Sequence, residues 1–173
     1  MGVPWNEFAG AAPELAALGE ERFERTGAVL LGTIRRDGTP RISPVEHLFF
    51  EGRLFLGMMW QSRKALDLLR DPRCVVHSMV VDKNDPAGEF KLRGRAEEVR
   101  DDPEVIERYC QALQEKINWR PDGPFHLFAV DIERVTFIKY MESGDQLVRE
   151  WRPGAPPTER LRRWTGSGVV DGP

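Results

Sequence analysis

The tightest constraint on this chain lies between residues 28 and 59, where three β-type runs follow one another with almost no linking residues. Ala28–Ile34 is apolar and ends at Arg35-Arg36-Asp37-Gly38. Asp-Gly readily takes the positive φ angles of a tight hairpin. Arg41–Phe50 and Arg53–Met59 come next, joined at Glu51-Gly52. Links this short join antiparallel neighbours only, since a parallel pair needs a crossover of about a dozen residues or more. The sheet therefore opens as a meander. Arg73–Val81, Glu89–Val99, Phe125–Ile132, Val135–Tyr140 and Gln146–Trp151 read as its further strands. In Glu89–Val99 the residues Phe90, Leu92, Gly94 and Ala96 alternate with Lys91, Arg93 and Arg95, the period of a half-buried strand. Glu133-Arg134 breaks the alternation of segment 125–140 like a bulge.

Helical patterns fill the gaps. Residues 4–26 predict an amphipathic opening helix, with Leu15, Leu18 and Phe23 on one face, Glu20, Glu21 and Glu24 on another, and Gly27 as its stop. Ser62–Arg70 reads as a short helix ended by Asp71-Pro72. Asp102-Pro103-Glu104 opens a third, whose apolar stripe is Val105, Ile106, Tyr109, Cys110, Leu113 and Ile117. Asp82–Gly88 is a polar loop, and from Pro153 onward Pro, Gly and Arg suggest a tail draped on a partner subunit. The expected class is mainly β with appended helices, an antiparallel barrel or sandwich. Residues 1–152 form one expected domain, with its core at 27–140 and the tail at 153–173.

At 173 residues the chain is sized for a single domain, and its formal net charge of −3 argues against bulk nucleic-acid binding. No apolar run approaches the roughly 20 residues of a membrane helix. Met1–Glu7 lacks the basic and apolar regions of a signal peptide, so the expected location is cytoplasmic. Cys74 and Cys110 sit in apolar segments and are expected to be buried free thiols.

Chemistry concentrates in Met58-Met59-Trp60-Gln61-Ser62-Arg63-Lys64-Ala65. Ser62 is the expected N-cap, and Arg63 and Lys64 fall in the first helical turn. The helix dipole makes that end positive, so two cations there are misplaced unless an anion joins them. They read either as solvated residues or, with the free N–H groups, as a phosphate site. Met58 and Trp60 share a strand face, and they read either as core or as an apolar wall for a flat heterocycle.

Ser62-Arg63-Lys64-Ala65 followed by Asp71-Pro72-Arg73 resembles the "SRKA…NPR" signature of the pyridoxamine 5′-phosphate oxidase-like flavin-binding split barrels. The hairpin Gly32–Val45 and the strand Gly94-Arg95-Ala96-Glu97 also resemble that family, and the likeness runs over residues 23–140. It implies a six-stranded antiparallel split barrel that forms a homodimer, with two cofactors at the subunit interface. Arg63 and Lys64, preceded by Ser62, match residues that grip the cofactor phosphate. Arg41, Ile42, Ser43 and Pro44 match the strand facing the ring and ribityl chain. Gly57 and Met58 stand where the oxidases carry a Tyr-Thr pair, and Glu89 where a cofactor-contacting glutamine is usual. Val45-Glu46-His47 stands where a true oxidase has a lysine for the substrate phosphate, so a vitamin B6 phosphate is a poor substrate here.

The expected cofactor is FMN, with the deazaflavin coenzyme as alternative, in an oxidoreductase acting on a small organic substrate. A non-enzymatic cofactor- or haem-binding protein is the rival reading. His47, His77 and His126 show no metal-ligand spacing; His47 is a candidate for a cofactor edge and His77 for core or interface. Trp119 and Trp151 are candidates either to cover the pocket from the partner chain or to pack in the core, and Arg160, Arg162 and Arg163 to meet a cofactor tail or solvent. No catalytic residue is identified. The strands around Phe90–Ala96 and Phe125–Phe137 are expected to supply apolar dimer contacts.

Overall fold

The computed structural model describes residues 1–82 and 87–172, so most of the loop expected at Asp82–Gly88 lies outside the described residues. The meander forms as expected: β1 (Ala28–Ile34), β2 (Pro40–Phe50) and β3 (Arg53–Met59) are joined by tight turns with positive φ at Gly38 and Gly52. After α3 (Arg63–Arg70) come β4 (Arg73–Ser78) and β5 (Glu89–Glu98), then α4 (Pro103–Ile117) and β6 (Phe125–Tyr140). The sheet runs β3-β2-β1-β4-β5-β6, and β6 also pairs with β3, which closes a six-stranded antiparallel barrel. β4 stops at Ser78, short of the expected Val81.

The expected opening helix is two helices, α1 (Trp5–Ala11) and α2 (Pro13–Glu24). Pro13 is the cause. A proline clashes with an α-helical residue before it, and Ala12 accordingly leaves the helical region, at φ −144 and ψ 66. The break lets α1 fold across the barrel. Trp5, Phe8, Phe23, Phe49, Phe90 and Trp151 then share one aromatic cluster, with Trp5 edge-on to Phe8 at 5.1 Å and Phe8 4.9 Å from Trp151. Trp151 is thus core, not a lid over a pocket.

β6 is a single strand of 16 residues, the long segment expected with its break at Glu133-Arg134. Its register slips between Arg93, opposite Arg134, and Gly94, opposite Ile132, leaving Glu133 as the extra residue of the expected bulge. The bulge presses the chains together at Gly94, where a Cβ would stand 2.0 Å from the Asp131 carbonyl oxygen.

The expected tail also takes regular form. β7 (Gln146–Trp151) pairs with β6, and beyond it β8 (Thr158–Trp164) and β9 (Val169–Asp171) extend the same sheet. β8 is mostly exposed, and cross-strand pairs hold it: Arg149 to Glu159 at 2.6 Å, Arg160 to Glu150 at 3.1 Å, and Arg162 to Asp171 at 3.2 Å. These arginines are committed to the sheet.

On β5 the apolar residues Phe90, Leu92 and Ala96 point into the barrel and are buried, as are Phe128, Val130 and Phe137 on β6. Within one chain these side chains pack in the core. The exposed apolar row lies elsewhere, on the outer face of β2, β1 and β4, where Ile42, Gly32 and Val75 stand side by side. Ile42 is 73% exposed and Val75 41%.

Cys74 and Cys110 are buried and free, and burial, above the smaller effect of Glu133, pushes the Cys74 thiol up to about 12. Among the described residues no helix is long and apolar enough to cross a membrane. The bulge generates a direct test: Gly94→Ala should cost about 3 kcal/mol or more through overpacking against backbone, lowering Tm by about 6–10 °C in a chain of this size. Thermal melting followed by circular dichroism checks it.

Candidate functional site

α3 closes one mouth of the barrel and is anchored by a buried acid. Its inward face carries Ala65, Asp67 and Leu68. Asp67 Oδ2 accepts from Arg41 Nε at 2.6 Å and from Thr33 Oγ1 at 3.0 Å, and Arg70 reaches Oδ1 at 3.4 Å. Thr33 and Arg41 are direct partners in the β1–β2 register, so both present to the same spot. Burial pushes the Asp67 carboxyl upward, but the hydrogen bonds from Arg41 and Thr33 outweigh it and the net shift is down. Arg70 also donates to the Ile34 carbonyl. At the other end Arg73 grips Asp71 through Nε at 2.9 Å and Nη2 at 2.6 Å. The Asp-Pro-Arg motif is thus a staple between α3 and β4.

The N-terminus of α3 is differently equipped. Ser62 is the cap residue, extended at φ −62 and ψ 144, yet its side chain makes no cap bond. Its Oγ is buried without a partner. No acid stands in the first turn, and the first N–H groups of any helix lack intrahelical acceptors. Arg63 is exposed and forms no hydrogen bond or ion pair among the described residues. Together with Arg35, Arg36, Arg41 and Arg70 it lines an open cleft of about 610 Å³. Lys64 turns to the other side, where Nζ donates to the Pro44 carbonyl at 2.7 Å. Burial lowers the Lys64 pKa, and the Glu46 carboxylate opposes that.

The structure therefore brings Arg41, Ser62 and Arg63 to one end of the barrel, with Lys64 beside them on Pro44. Ser43 alternates with Arg41 on the inward face of β2, whereas Ile42 and Pro44 face out. Met58 is buried. Glu89 is not part of this group within one chain: it is on β5, three strands from Pro44 in the order β2-β1-β4-β5, roughly 14 Å at the usual strand spacing. Gly57 has a specific occupant, because a Cβ there would lie 2.5 Å from the Tyr109 hydroxyl. Where the oxidases carry a tyrosine on the strand, this chain brings one in from α4.

Thr33, Asp67, Arg70 and Tyr109 are absent from the residues expected by sequence. The available signal for Asp67 is an acid set between Ala65 and Leu68 on an apolar helix face. For Tyr109 it is a glycine in an otherwise bulky strand, Leu54–Met59.

Two of the three histidines are sealed. His126 donates from Nδ1 to Glu98 and lies under the Trp60 ring, stacked at 4.3 Å, so Trp60 serves as a cover for a core histidine. His47 is buried edge-on to Phe23 and Phe49 and lies 3.4 Å from Glu24, which rules out the expected place at a cofactor edge. His77 is half-buried on the outer face, with Nδ1 against the Ser78 carbonyl and Nε2 3.8 Å from Glu89.

Residues 17–139 match the sequence profile of the pyridoxamine 5′-phosphate oxidase family. The chain belongs to that family. Among curated proteins, none matches it in sequence. Solved structures give the same fold. A pyridoxamine 5′-phosphate oxidase-related, FMN-binding protein of Nostoc punctiforme superposes with a TM-score of 0.60 at 13% identity, covering 87% of this chain and 95% of that one. HutZ, the heme storage protein of Vibrio cholerae, gives 0.57 at 17% identity, covering 71% and 90%. ChuZ of Campylobacter jejuni gives 0.65 at 14% identity, covering 84% and 61%. At these identities the likeness to the solved structures concerns the fold alone.

Burial lowers the His47 pKa to about 4, with Lys116 acting the same way and Glu24 opposing. Unfolded histidine titrates near about 6.5, so between these values only the unfolded chain takes the proton. Stability is full above pH 6.5 and falls as pH drops towards 4, by about 2 kcal/mol at pH 5. His47→Phe should fold and flatten that slope, as read by urea unfolding at pH 7 and pH 5.

Proposed function

We propose that this protein binds FMN across a homodimer interface and acts as an oxidoreductase on a small organic substrate. The observation that carries the reading is the N-terminus of α3: a buried Ser62 hydroxyl without a partner, beside the unpaired Arg63 and no acid. That donor set fits a phosphate monoester, since a phosphate supplies acceptors for a hydroxyl, a guanidinium and helix N–H groups together. Arg63 would hold the phosphate from the cleft side and Lys64 from the Pro44 side, while Asp67 keeps Arg41 and the helix in place. A bound flavin supplies hydride transfer. The chain's own task is then to bind the phosphate, orient the ring along β2 and keep water from it. The deazaflavin coenzyme, which shares a tricyclic ring and a phosphate, is accommodated by the same argument.

The fold neighbours include a heme storage protein, but the histidines favour the flavin. His47 and His126 are closed to a macrocycle, and both His77 nitrogens face oxygen atoms of this chain.

The homodimer rests on the exposed row Ile42–Gly32–Val75. Large exposed apolar residues on a sheet face call for a cover, and a two-fold axis through one face buries the same row from both copies. Light scattering should report a dimer for the wild-type chain and a monomer for Ile42→Asp, with FMN affinity reduced in the monomer. A wild-type monomer that still holds FMN tightly would refute the interface.

The phosphate assignment has its own test. A hydrogen bond to a charged group contributes about 1.5–3 kcal/mol, so Arg63→Ala should weaken FMN binding about 10- to 150-fold. Riboflavin has the same ring and no phosphate, and its affinity should stay unchanged. Fluorescence quenching of the two ligands provides the comparison, and an equal loss for both would show Arg63 to be structural.

A further inference from the structure

On the far side of Lys64 from the arginine cleft lies a second cavity, of about 260 Å³, between β2, β3 and α4. Its charged lining residues are Glu46 and Asp122, and none of its lining residues is basic. Neither carboxylate forms an ion pair among the described residues, and Lys64, on which the Glu46 charge acts, gives its ammonium to the Pro44 carbonyl. Tyr109 is the deciding group. It is only 3% exposed, its hydroxyl sits over Gly57 in the cavity wall, and it has no hydrogen-bond partner among the described residues. The ring is buried while the hydroxyl reaches the open space of the cavity, which leaves its oxygen free for a ligand. Burial first, then Cys110 and Glu46, raise its pKa, so the hydroxyl stays neutral and its oxygen remains an acceptor. The rim is the indole of Trp119, 52% exposed, with Met59 opposite at 80%.

We propose that this cavity binds a small organic ammonium ion, with Glu46 as counter-charge, the Tyr109 oxygen as acceptor and Trp119 as the ring wall. An acidic lining without a basic side chain repels phosphates and carboxylates, and an indole face attracts a cation through its quadrupole. The volume is below the roughly 300 Å³ at which drug-sized sites begin, which suits a single-ring or short aliphatic amine. Because Met58 lies in the wall of the cavity and the charge of its Glu46 acts on Lys64, the amine would meet a bound ring from this side. That placement as the substrate side rests on the flavin reading, whereas the chemical class of the ligand does not.

The test is calorimetric titration of the purified chain, without added flavin, at pH 7. Benzylamine, charged at that pH, is compared with benzyl alcohol and benzoate. Saturable benzylamine binding, at least about tenfold tighter than either analogue, is expected. Glu46 is exposed, so Glu46→Gln should fold normally and weaken benzylamine about 3- to 10-fold, the range between an exposed and a charge-assisted contact. Trp119→Ala should act in the same direction. Benzoate binding as tightly as benzylamine, or unchanged affinity in Glu46→Gln, would overturn the assignment. FMN titration of the same preparation separates the two readings. Benzylamine binding without FMN binding removes only the flavin and leaves the amine site standing. FMN binding without benzylamine binding removes only the amine site.

Discussion

Everything in this fold hangs on the ability of β6 to change partners along its length. Residues 125–130 pair with β3 and close the barrel, while residues 135–140 pair with β7 and carry the added sheet. β5 accompanies both halves. A flat strand cannot serve two directions at once, and the extra residue Glu133 supplies the bend. The bend in turn requires backbone contact at Gly94, where no side chain fits. Closure of the barrel, the mouth that α3 plugs and the position of the cleft all follow from that one slip in register.

Within the mouth, the positive charges divide into two groups by what they touch. Arg41 and Arg70 are drawn onto Asp67, and Arg73 onto Asp71. These contacts fix the axis of α3 and the start of β4. Arg63, one turn before Asp67 and exposed, forms no ion pair among the described residues and is left for solvent or ligand. The helix is therefore held by an acid on its inner side, which lets its positive end remain uncompensated on the outer side.

Much of this was readable from local chemistry. The turns at Asp37-Gly38 and Glu51-Gly52 name their own geometry, and Glu133-Arg134 announces its bulge by breaking an alternation. The break at Ala12–Pro13 is masked because Leu15 and Phe23 keep a helical period on the second helix alone. β8 escapes a hydrophobic pattern altogether. Its residues are mostly exposed, with Leu161 and Arg162 half-buried, and charge pairs such as Arg162–Asp171 hold it where burial does not. In the site, the motif Ser62-Arg63-Lys64 marks the start of α3 and its uncompensated positive end, but the Asp67 anchor depends on Thr33 and Arg41, which sequence distance hides. The burial of His47 is hidden likewise, since it depends on Phe23 from a different helix.

The Gly57–Tyr109 contact also limits the routes by which such a site can change. The strand position and the helix position compete for one volume, so a side chain can be regained at residue 57 only after the phenol at residue 109 has shrunk or turned away. Substituted in the wrong order, the first change meets a 2.5 Å clash; in the other order it first opens a void in the wall. The two positions therefore behave as one unit of inheritance, and grafting an oxidase-type strand onto this barrel is a two-site problem whose halves fail separately.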